Sequence, residues 1–581
     1  MSDIRVTYAH NRFIAYCDVK ENDHLKAAGF LWDPGNKIWY TIDFRSADKL
    51  KQFHDDSAKD ASVRLAELAK RSIIESAAAT GTMQLYHPES MKPFPYQVAG
   101  VEYILKRRGV ILADEQGLGK SMTALVTMNM RKDVEALIVC LAILKTNWLK
   151  EARKWIIGHI TAYIYDSKKI KVYKKQLTPH NKSTVLHIVN YDILDRHFER
   201  FLGTPYNHFI ADECQKIKND SAQRTKIAQQ LARKAPYKIF ITGTPIYNKP
   251  KDLFVPINLI DPHMFGNFHL FALKYCGAKT LKFGGKTITK YDGATNLDEL
   301  NQVLRSNYMI RRMTEEVMKD LPKKIKDVII LNEDVLDKIV RKEQNLLISA
   351  KQEQEKLEME IARLREVMKT DASYETIYKN KVATLKKAKF QNFGEMSKIR
   401  KEMAIKKVPY VLEFVKEMLD SSEDPQSKVV VFAHHQEVIQ LLNAGLKKYK
   451  PLVIYGGTSA PQRELVLKAF RQKNEYRVFI GSMGAAGTGV DGLQLNCNRM
   501  VFAELDWTPS LVDQAESRLA RIGQKLPVFI YHIVADQSID SHIAKLMVQK
   551  TAIAQQILDY RPEQIYEKML QGAKTELIPK K

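Results

Sequence analysis

Gly109-Val110-Ile111-Leu112-Ala113 runs directly into Asp114-Glu115-Gln116-Gly117-Leu118-Gly119-Lys120-Ser121, and a helix-compatible stretch begins at Met122. The first five residues have the length and character of a buried strand. Glycines at 117 and 119 let backbone N–H groups approach phosphate oxygens with no Cβ in the way, and a helix start behind them favours an anion. Lys120 is then placed to reach β- and γ-phosphates, and the Ser121 hydroxyl to ligate Mg²⁺. The general phosphate-loop pattern wants Gly five positions before Gly119, where this chain has Asp114. Taken alone, the loop is either a nucleotide site or a chance glycine turn.

Four further short apolar runs follow the same rhythm: Ala136–Leu141, Val185–Asn190, His208–Ala211 and Tyr237–Ile241. Alternation of such runs with helical stretches predicts a parallel α/β sheet covered by helices on both faces. A second series, Lys428–Ala433, Pro451–Tyr455, Tyr476–Gly481, Arg499–Ala503 and Val528–Val534, predicts a second lobe of the same kind. Between them, residues 335–400 are dense in Lys and Glu, and Leu357, Ile361, Leu364 and Met368 mark one apolar helix face. Long solvated helices packed on a lobe, or a dimerising coiled coil, both satisfy that spacing.

Two more elements bear on chemistry. The run His208–Ala211 ends in Asp212-Glu213-Cys214-Gln215. Adjacent carboxylates at a strand's end suit nucleotide hydrolysis, with Asp212 holding Mg²⁺ and Glu213 orienting and deprotonating the attacking water. Near the C-terminus, Gln514-Ala515-Glu516-Ser517-Arg518-Leu519-Ala520-Arg521-Ile522-Gly523-Gln524 sets two arginines at i and i+3, on one helix face. Paired guanidinium groups are what a clamp on a γ-phosphoryl transition state requires; as surface residues they would need no such role.

The 581 residues carry 91 Lys+Arg against 67 Asp+Glu, a net charge of +24 that favours a polyanionic partner, nucleic acid being the commonest. Scattered lysines that only keep the chain soluble are the plain alternative. At 45% hydrophobic and 27% charged the chain is not wholly disordered. Its five cysteines lie far apart with no C-x-x-C pair, which predicts neither zinc module nor disulfide framework. No apolar run reaches the ~18 residues of a membrane span, and Met-Ser-Asp-Ile-Arg-Val-Thr-Tyr lacks the features of a signal peptide. A soluble intracellular protein is expected.

Residues 1–55 predict a small α+β module: strands at Ile4–Tyr8 and Arg12–Asp18, then a hairpin whose aromatic arms flank Asp33-Pro34-Gly35-Asn36. Trp32 and Trp39 sit on its two arms, where they either form the module's own core or offer a stacking surface to nucleic-acid bases.

Asp114–Ser121, Asp212–Gln215, Thr242-Gly243-Thr244-Pro245-Ile246-Tyr247-Asn248 and Gln514–Gln524 resemble successive motifs of the Swi/Snf-type superfamily 2 helicase-like ATPases. Tyr96-Gln97, Leu144 to Trp148, Asn190-Tyr191-Asp192, Tyr308 to Arg312, Val431 to His435, Gly484 to Gly489 and Phe502 to Pro509 match in the same order. The resemblance covers about residues 92–560, and within it Asp114 is a family trait. Gln215 and Ala520 depart, since relatives usually carry His there, and Leu141 stands where they often have Pro. Ala433-His434-His435 and Glu504 to Pro509 resemble the annealing-helicase, fork-remodelling branch, and the N-terminal module is loosely similar to that branch's HARP-type module.

The resemblance implies an α/β protein with two RecA-like parallel-sheet lobes, helical insertions and the small N-terminal module. Its expected layout is a module at 1–55, a helical linker at 56–91 and a first lobe at 92–330 with a helical protrusion at about 255–320. A helical insertion at 331–405, a second lobe at 406–560 and a tail at 561–581 complete it. It implies a DNA-stimulated ATPase using ATP and Mg²⁺ to move on or remodel duplex or branched DNA, as a monomer, in the nucleus or the cytoplasm according to source. Gln97 would read adenine, with Asp114, Gly117, Leu118, Gly119, Lys120 and Ser121 around the phosphates. Glu213 would handle the water, and Arg518 and Arg521 the transition state. Gln215, Thr242, Thr244, Gly489 and Gln514 would couple nucleotide state to motion. Lys145, Asn147, Asn190, Tyr191, Asn219 and Trp507 would face DNA, together with Trp32 and Trp39. A strand-separating helicase on DNA or RNA, or a nucleic-acid-binding scaffold with a weak ATPase, are the rival readings.

Overall fold

The computed structural model of the chain describes residues 4–548 except 168, 218–221, 244–249, 266, 278, 284–285, 292, 319–321, 369–370, 487–489 and 507–508. It divides into two compact units, the first drawn from residues up to Val317 and the second chiefly from Met318 onward.

The first unit is built on an eight-stranded sheet. Its order is Met309–Ile310, Gly109–Leu112, Tyr237–Ile241, His208–Asp212, Val134–Cys140, Ser183–Asn190, His159–Tyr165 and Ile170–Gln176. Every pairing is parallel except the last. The central strands are apolar on both faces because helices cover both, and Val110, Ile138, Ile210 and Phe240 are fully or almost fully buried. Tyr237–Ile241 lies between the strand that feeds the glycine loop and the strand that ends in Asp212. Pairing of Ile241 with both Leu112 and Asp212 brings three strand ends to one edge of the sheet. In open α/β sheets that carboxyl edge is where ligands bind.

The five strands expected here from apolar runs are present, while Met309–Ile310, His159–Tyr165 and Ile170–Gln176 carried no such signal. Ile170–Gln176 is an exposed edge strand rich in lysine, and charge of that kind blocks edge-to-edge pairing.

The N-terminal module is a four-stranded antiparallel sheet ordered Arg5–Ala9, Arg12–Tyr16, Ile38–Thr41, Leu31–Asp33. Asp33 closes the hairpin turn by accepting from the backbone N–H of Gly35 (3.0 Å) and Asn36 (3.2 Å). Helix Asp56–Ala77 leaves this module, capped by the Asp55 carboxylate, and buries Ser62, Ser72 and Ser76 against neighbouring structure of the first unit. Ser72 Oγ donates to Arg305 O (3.3 Å), and Arg45 of the module donates to Ser306 Oγ (2.8 Å).

The second unit carries a six-stranded, wholly parallel sheet. Its order is Lys324–Leu331, Val528–Ala535, Arg499–Phe502, Val429–Ala433, Val478–Ser482, Leu452–Ile454. Helices Asp334–Val367 and Glu375–Asp420 pair along their length through contacts such as Lys381–Glu360 (2.6 Å) and Asn392 to Glu353 (3.1 Å). The apolar stripe including Leu357 therefore has a partner helix in its own chain.

The mostly parallel eight-stranded sheet, the parallel six-stranded sheet and the antiparallel N-terminal sheet bear out the α/β expectation. Three expected boundaries differ. Strand Lys324–Leu331 belongs to the second sheet, so the first lobe does not extend to 330. The protrusion expected to be helical at about 255–320 includes an antiparallel hairpin, Lys279–Phe283 with Lys286–Lys290. Helix Glu375–Asp420 runs unbroken through the expected 405/406 division. The expected tail at 561–581 lies outside the described residues.

Candidate active site

The glycine loop turns from strand Gly109–Leu112 into helix Lys120–Asn129. Gly117 and Gly119 both take positive φ (89° and 76°), which a side chain would strain, with Leu118 between them. A Cβ on Gly119 would also stand 2.5 Å from Nε2 of Gln97, so this glycine leaves room for that amide. Gln97 itself is buried, and its Oε1 accepts from the Phe94 N–H (2.9 Å) at the start of helix Pro95–Leu105.

Lys120, half-buried, donates from Nζ to the carbonyls of Asp114 (2.9 Å) and Glu115 (3.1 Å). Burial pulls its ammonium below the usual lysine range, while the carboxylates of Asp114, Glu213 and Asp212 act the other way. Ser121 opens the helix just behind.

Asp212 closes its strand with a buried carboxyl group. Its Oδ2 accepts from the Trp148 indole Nε1–H at 2.9 Å, and its carbonyl accepts from the Tyr191 hydroxyl at 2.8 Å. Burial, then the charge of Glu213 beside it, pushes Asp212 up to about 7, while the Trp148 bond and Lys120 oppose the shift. Glu213 turns the chain in the left-handed region (φ 54°) and accepts from Gln215 Nε2 at 2.6 Å. Thr242, buried, follows the neighbouring strand and donates its N–H to Leu112 O (3.1 Å). Lys120, Asp212, Glu213 and Thr242 are thus gathered at one sheet edge, and the acidic pair carries an unfavourable concentration of negative charge that a cation would relieve.

Several expected roles need correction. Asp114 does not offer its carboxylate to the loop's ligand side: it is buried in a forked ion pair with Arg312 (Nε to Oδ1 3.0 Å, Nη2 to Oδ2 2.5 Å). Lys145, expected to face DNA, is buried with its ammonium on Tyr165 O (2.7 Å) and Asp166 (2.5 Å). Asn190 and Tyr191 are buried as well, the latter bracing Asp212. Asn147 is half-buried on helix Lys145–Trp155. Trp39 is a core residue of the N-terminal module, its indole N–H donated to Asn22 Oδ1 (2.9 Å), whereas Trp32 opposite it is 48% exposed. Asn219, Thr244, Gly489 and Trp507 lie outside the described residues.

In the second unit, helix Pro509–Glu516 ends before either arginine, so Arg518 and Arg521 do not share a helix face. From Glu516 on, N–H groups reach back three residues or fewer at Arg518, Leu519, Arg521 and Gln524, and the chain turns. Buried Gln524 holds that turn, donating to Cys497 O (2.9 Å) and accepting from the N–H of Lys525 and Leu526 (both 3.0 Å). Both arginines are half-buried; Arg518 donates to Val490 O (3.1 Å) and Arg521 pairs with Asp491 (3.0 Å). Gln514 is buried on the helix before them. Glu516, at that helix's last position, is fully buried against Lys326 (2.5 Å) and His532 (3.4 Å). The motif contained Glu516, yet only the strands it reaches reveal that it anchors the arginine segment.

Trp148 and Arg312 are the residues that sequence reasoning placed but gave no site role. A tryptophan in an otherwise polar helix start (Lys145-Thr146-Asn147-Trp148) was the available signal for the first.

Comparison with known proteins adds the following. The SNF2-related domain model matches residues 96–392, and the helicase conserved C-terminal domain model matches 410–523. The chain is 31% identical over 468 residues to a SWI/SNF-related matrix-associated actin-dependent regulator of chromatin subfamily A-like protein 1 homolog of Caenorhabditis elegans, covering 80% of this chain and 61% of that protein. It is 30% identical over 485 residues to the human DNA annealing helicase and endonuclease ZRANB3, covering 82% of this chain and 41% of that protein. The chain therefore spans about three fifths and two fifths, respectively, of the length of these curated relatives. A Sulfolobus solfataricus SWI2/SNF2 ATPase core, solved in complex with dsDNA, aligns at 21% identity over 84% of this chain and 98% of that one, with a TM-score of 0.36. The SNF2-related match alone spans more than half of the 581 residues and takes in the loop, the acidic strand end and Thr242, and on that ground the chain belongs to the SNF2-related family of helicase-like proteins.

Proposed function

We propose that the chain is a DNA-stimulated ATPase that couples ATP hydrolysis to movement on, or remodelling of, duplex or branched DNA, including fork remodelling or strand annealing. The observation that carries the reading is the convergence of Lys120, Asp212 and Glu213 at one carboxyl edge of a parallel sheet, behind a loop that turns through positive φ at Gly117 and Gly119. Relatives named as an annealing helicase and a chromatin regulator support the choice of DNA over other polyanions, as does the net charge of +24.

In this reading Gln97, packed against the loop, reads the adenine. Lys120 leaves the carbonyls of Asp114 and Glu115 for the β- and γ-phosphates, and Glu213 takes a proton from the attacking water. Arg518 and Arg521 supply guanidinium charge to the γ-phosphoryl as it transfers. Gln215, hydrogen-bonded to Glu213, and Thr242 carry the state of the site to the rest of the first unit.

Asp212 and Ser121 are the residues to hold Mg²⁺. The fit rests on chemistry in the molecule: a buried carboxyl pushed up to about 7 beside a second carboxylate, and a hydroxyl at the start of the loop's helix. Mg²⁺ is typically bound by one or two such oxygens plus substrate phosphates and water. Among the described residues there is no cluster of three or more His, Cys, Asp or Glu that would make an all-protein metal cage. Bound there, the ion neutralises phosphate charge.

ATP turnover measured without nucleic acid, then with single-stranded, duplex and forked DNA and with RNA, tests the proposal. Stimulation by duplex or forked DNA is expected. Stimulation by RNA alone, or none by any polymer, would overturn it, and separation of a tailed duplex would favour a strand-separating helicase.

A further inference from the structure

Arg312 makes contacts that a surface arginine at the end of a short strand does not make. Strand Met309–Ile310 pairs with Ile111 and Leu112, and the ladder continues past it: Ala113 N–H donates to Ile310 O (2.9 Å) and Glu115 N–H to Arg312 O (3.0 Å). The segment therefore runs beside the chain as it leaves the strand and becomes the glycine loop. Side chains reinforce the pairing. Arg311 donates from Nη1 to Ala113 O, Arg312 forks onto Asp114, the Arg312 N–H reaches Asp114 Oδ1 (3.1 Å), and Thr314 N–H reaches Glu115 Oε2 (2.7 Å). Each loop-base residue from Ala113 to Glu115 is held by backbone and by a side chain.

Both charges of the fork are removed from water, with side-chain exposure of 0% for Arg312 and 1% for Asp114. The remaining guanidinium donor, Nη1, is placed on Tyr96 O and on Ala78 O (3.5 Å), so the same cation also grips the chain entering helix Pro95–Leu105 and the end of helix Asp56–Ala77. Gly100 makes room for it: a Cβ there would lie 2.8 Å from Nη2. Arg305 adds a second tie, from Nε to Ser76 Oγ (3.2 Å) and from Nη2 to Arg311 O (3.1 Å), and Arg311 N–H donates to Ser76 O (3.3 Å).

We propose that Arg312 is a positioning residue for the phosphate loop, fixing its base through Asp114 and tying it to the end of the helix that carries the N-terminal module. The carbonyls on which Lys120 rests belong to Asp114 and Glu115, the two residues this network holds. Only a planar, always-charged fork meets both carboxylate oxygens while a third nitrogen serves two carbonyls, so lysine is not an equivalent here. A loop base that wanders presents its amides and Lys120 less often in the binding geometry, and the effect falls on nucleotide affinity before it falls on the chemical step. This last consequence rests on the nucleotide reading given above; the positioning of the loop does not.

The test uses the full chain and two readouts. In Arg312→Lys, amide hydrogen exchange in peptides covering 109–121 is expected to quicken about tenfold or more without nucleotide, while strand Val134–Cys140 keeps its protection. KM for ATP is expected to rise about tenfold with kcat changed by less than about threefold. Arg305→Gln, which leaves the buried fork intact, should shift both in the same direction by a smaller factor, and it serves if Arg312→Lys does not fold. Unchanged exchange at 109–121, or equal loss of protection in Val134–Cys140, would overturn the proposal. If the loop loosens but the wild-type protein binds no ATP, the positioning role stands and the nucleotide reading falls.

Discussion

The indole N–H of Trp148 is bound to the Asp212 carboxylate at 2.9 Å, from a helix whose sequence resembles a DNA-side motif. Trp148 is almost fully buried, so the bond works in a dry setting where an unpaired carboxylate is costly. It favours the charged form of Asp212 against burial and the neighbouring Glu213. A hydrogen bond to a charged group is worth about 1.5–3 kcal/mol. Trp148→Phe keeps the ring and removes only the donor, so ATP turnover at low Mg²⁺ should drop about tenfold or more. The Mg²⁺ concentration for half-maximal turnover should rise correspondingly. A titration of turnover against Mg²⁺ checks this, and an unchanged midpoint would show that the indole serves only packing.

Lys120 and Glu213 separate binding from chemistry. Lys120→Ala removes the ammonium that rests on the carbonyls of Asp114 and Glu115 and should abolish ATP turnover while leaving DNA binding in place. Glu213→Gln should bind nucleotide and lose roughly 10²–10⁴-fold in hydrolysis, because an amide cannot accept the proton from water. Equilibrium nucleotide binding alongside single-turnover hydrolysis distinguishes the two. Wild-type hydrolysis by Glu213→Gln removes it as the base.

The contrast between these two residues and Trp148 shows where local sequence stops being informative. Lys120, Asp212 and Glu213 are legible because glycine spacing and paired carboxylates are short-range patterns whose chemistry demands them. The fate of Lys145, Trp148 and Tyr191 depends on partners at Asp166 and Asp212, which only the folded sheet brings near. Strand Lys324–Leu331 shows the same limit. Its pattern is half-exposed, unlike the fully buried strands, and its pairing to Val528–Ala535 spans most of the second unit. Asp114 matches a motif, but no pattern within the loop announces that Arg312 takes its carboxylate.

Glu516 ties the arginine segment to its lobe, and its titration gives a pH-dependent prediction. The Lys326 ammonium and then His532 hold it down to about 2 against a burial penalty. A depressed carboxyl stabilises the fold above its unfolded value, near 4.5, and that contribution is lost as pH falls toward 2. At most about 3 kcal/mol is at stake. Thermal unfolding followed from pH 7 to pH 2 should show Glu516→Gln less stable than wild type at neutral pH, with a shallower acid limb. Parallel acid limbs for the two proteins would mean that the buried trio does not govern acid stability.

Net charge gives a prediction for the DNA interface as a whole. If the chain's +24 includes about six phosphate contacts, affinity for duplex DNA should fall by about three orders of magnitude between 50 and 200 mM salt. Fluorescence anisotropy across that range measures the slope directly. A flat dependence would mean that the basic excess is general surface charge, including the lysines that guard edge strand Ile170–Gln176.

Trp32 and Trp39 face each other across one hairpin, with ring centroids 5.4 Å apart, and meet opposite environments. Trp39 packs in the module's core with Val6, Phe13, Leu25 and Phe30, and its N–H is satisfied by Asn22. Trp32 lies on strand Leu31–Asp33 at the sheet edge, 48% exposed and supported from beneath by Trp39. Trp39→Ala should therefore cost about 3–5 kcal/mol and unfold the module. Trp32→Ala should leave its melting behaviour within about 1 kcal/mol of wild type. An exposed indole packed against a second ring can stack on an unpaired base, worth about 1–3 kcal/mol, which is a ten- to hundredfold preference for a DNA structure that offers one. Trp32→Ala should accordingly keep duplex-stimulated ATP turnover and lose any preference for forked over plain duplex DNA. Turnover on matched forked and linear substrates measures that ratio, and a ratio retained in Trp32→Ala would place branch selection outside this hairpin.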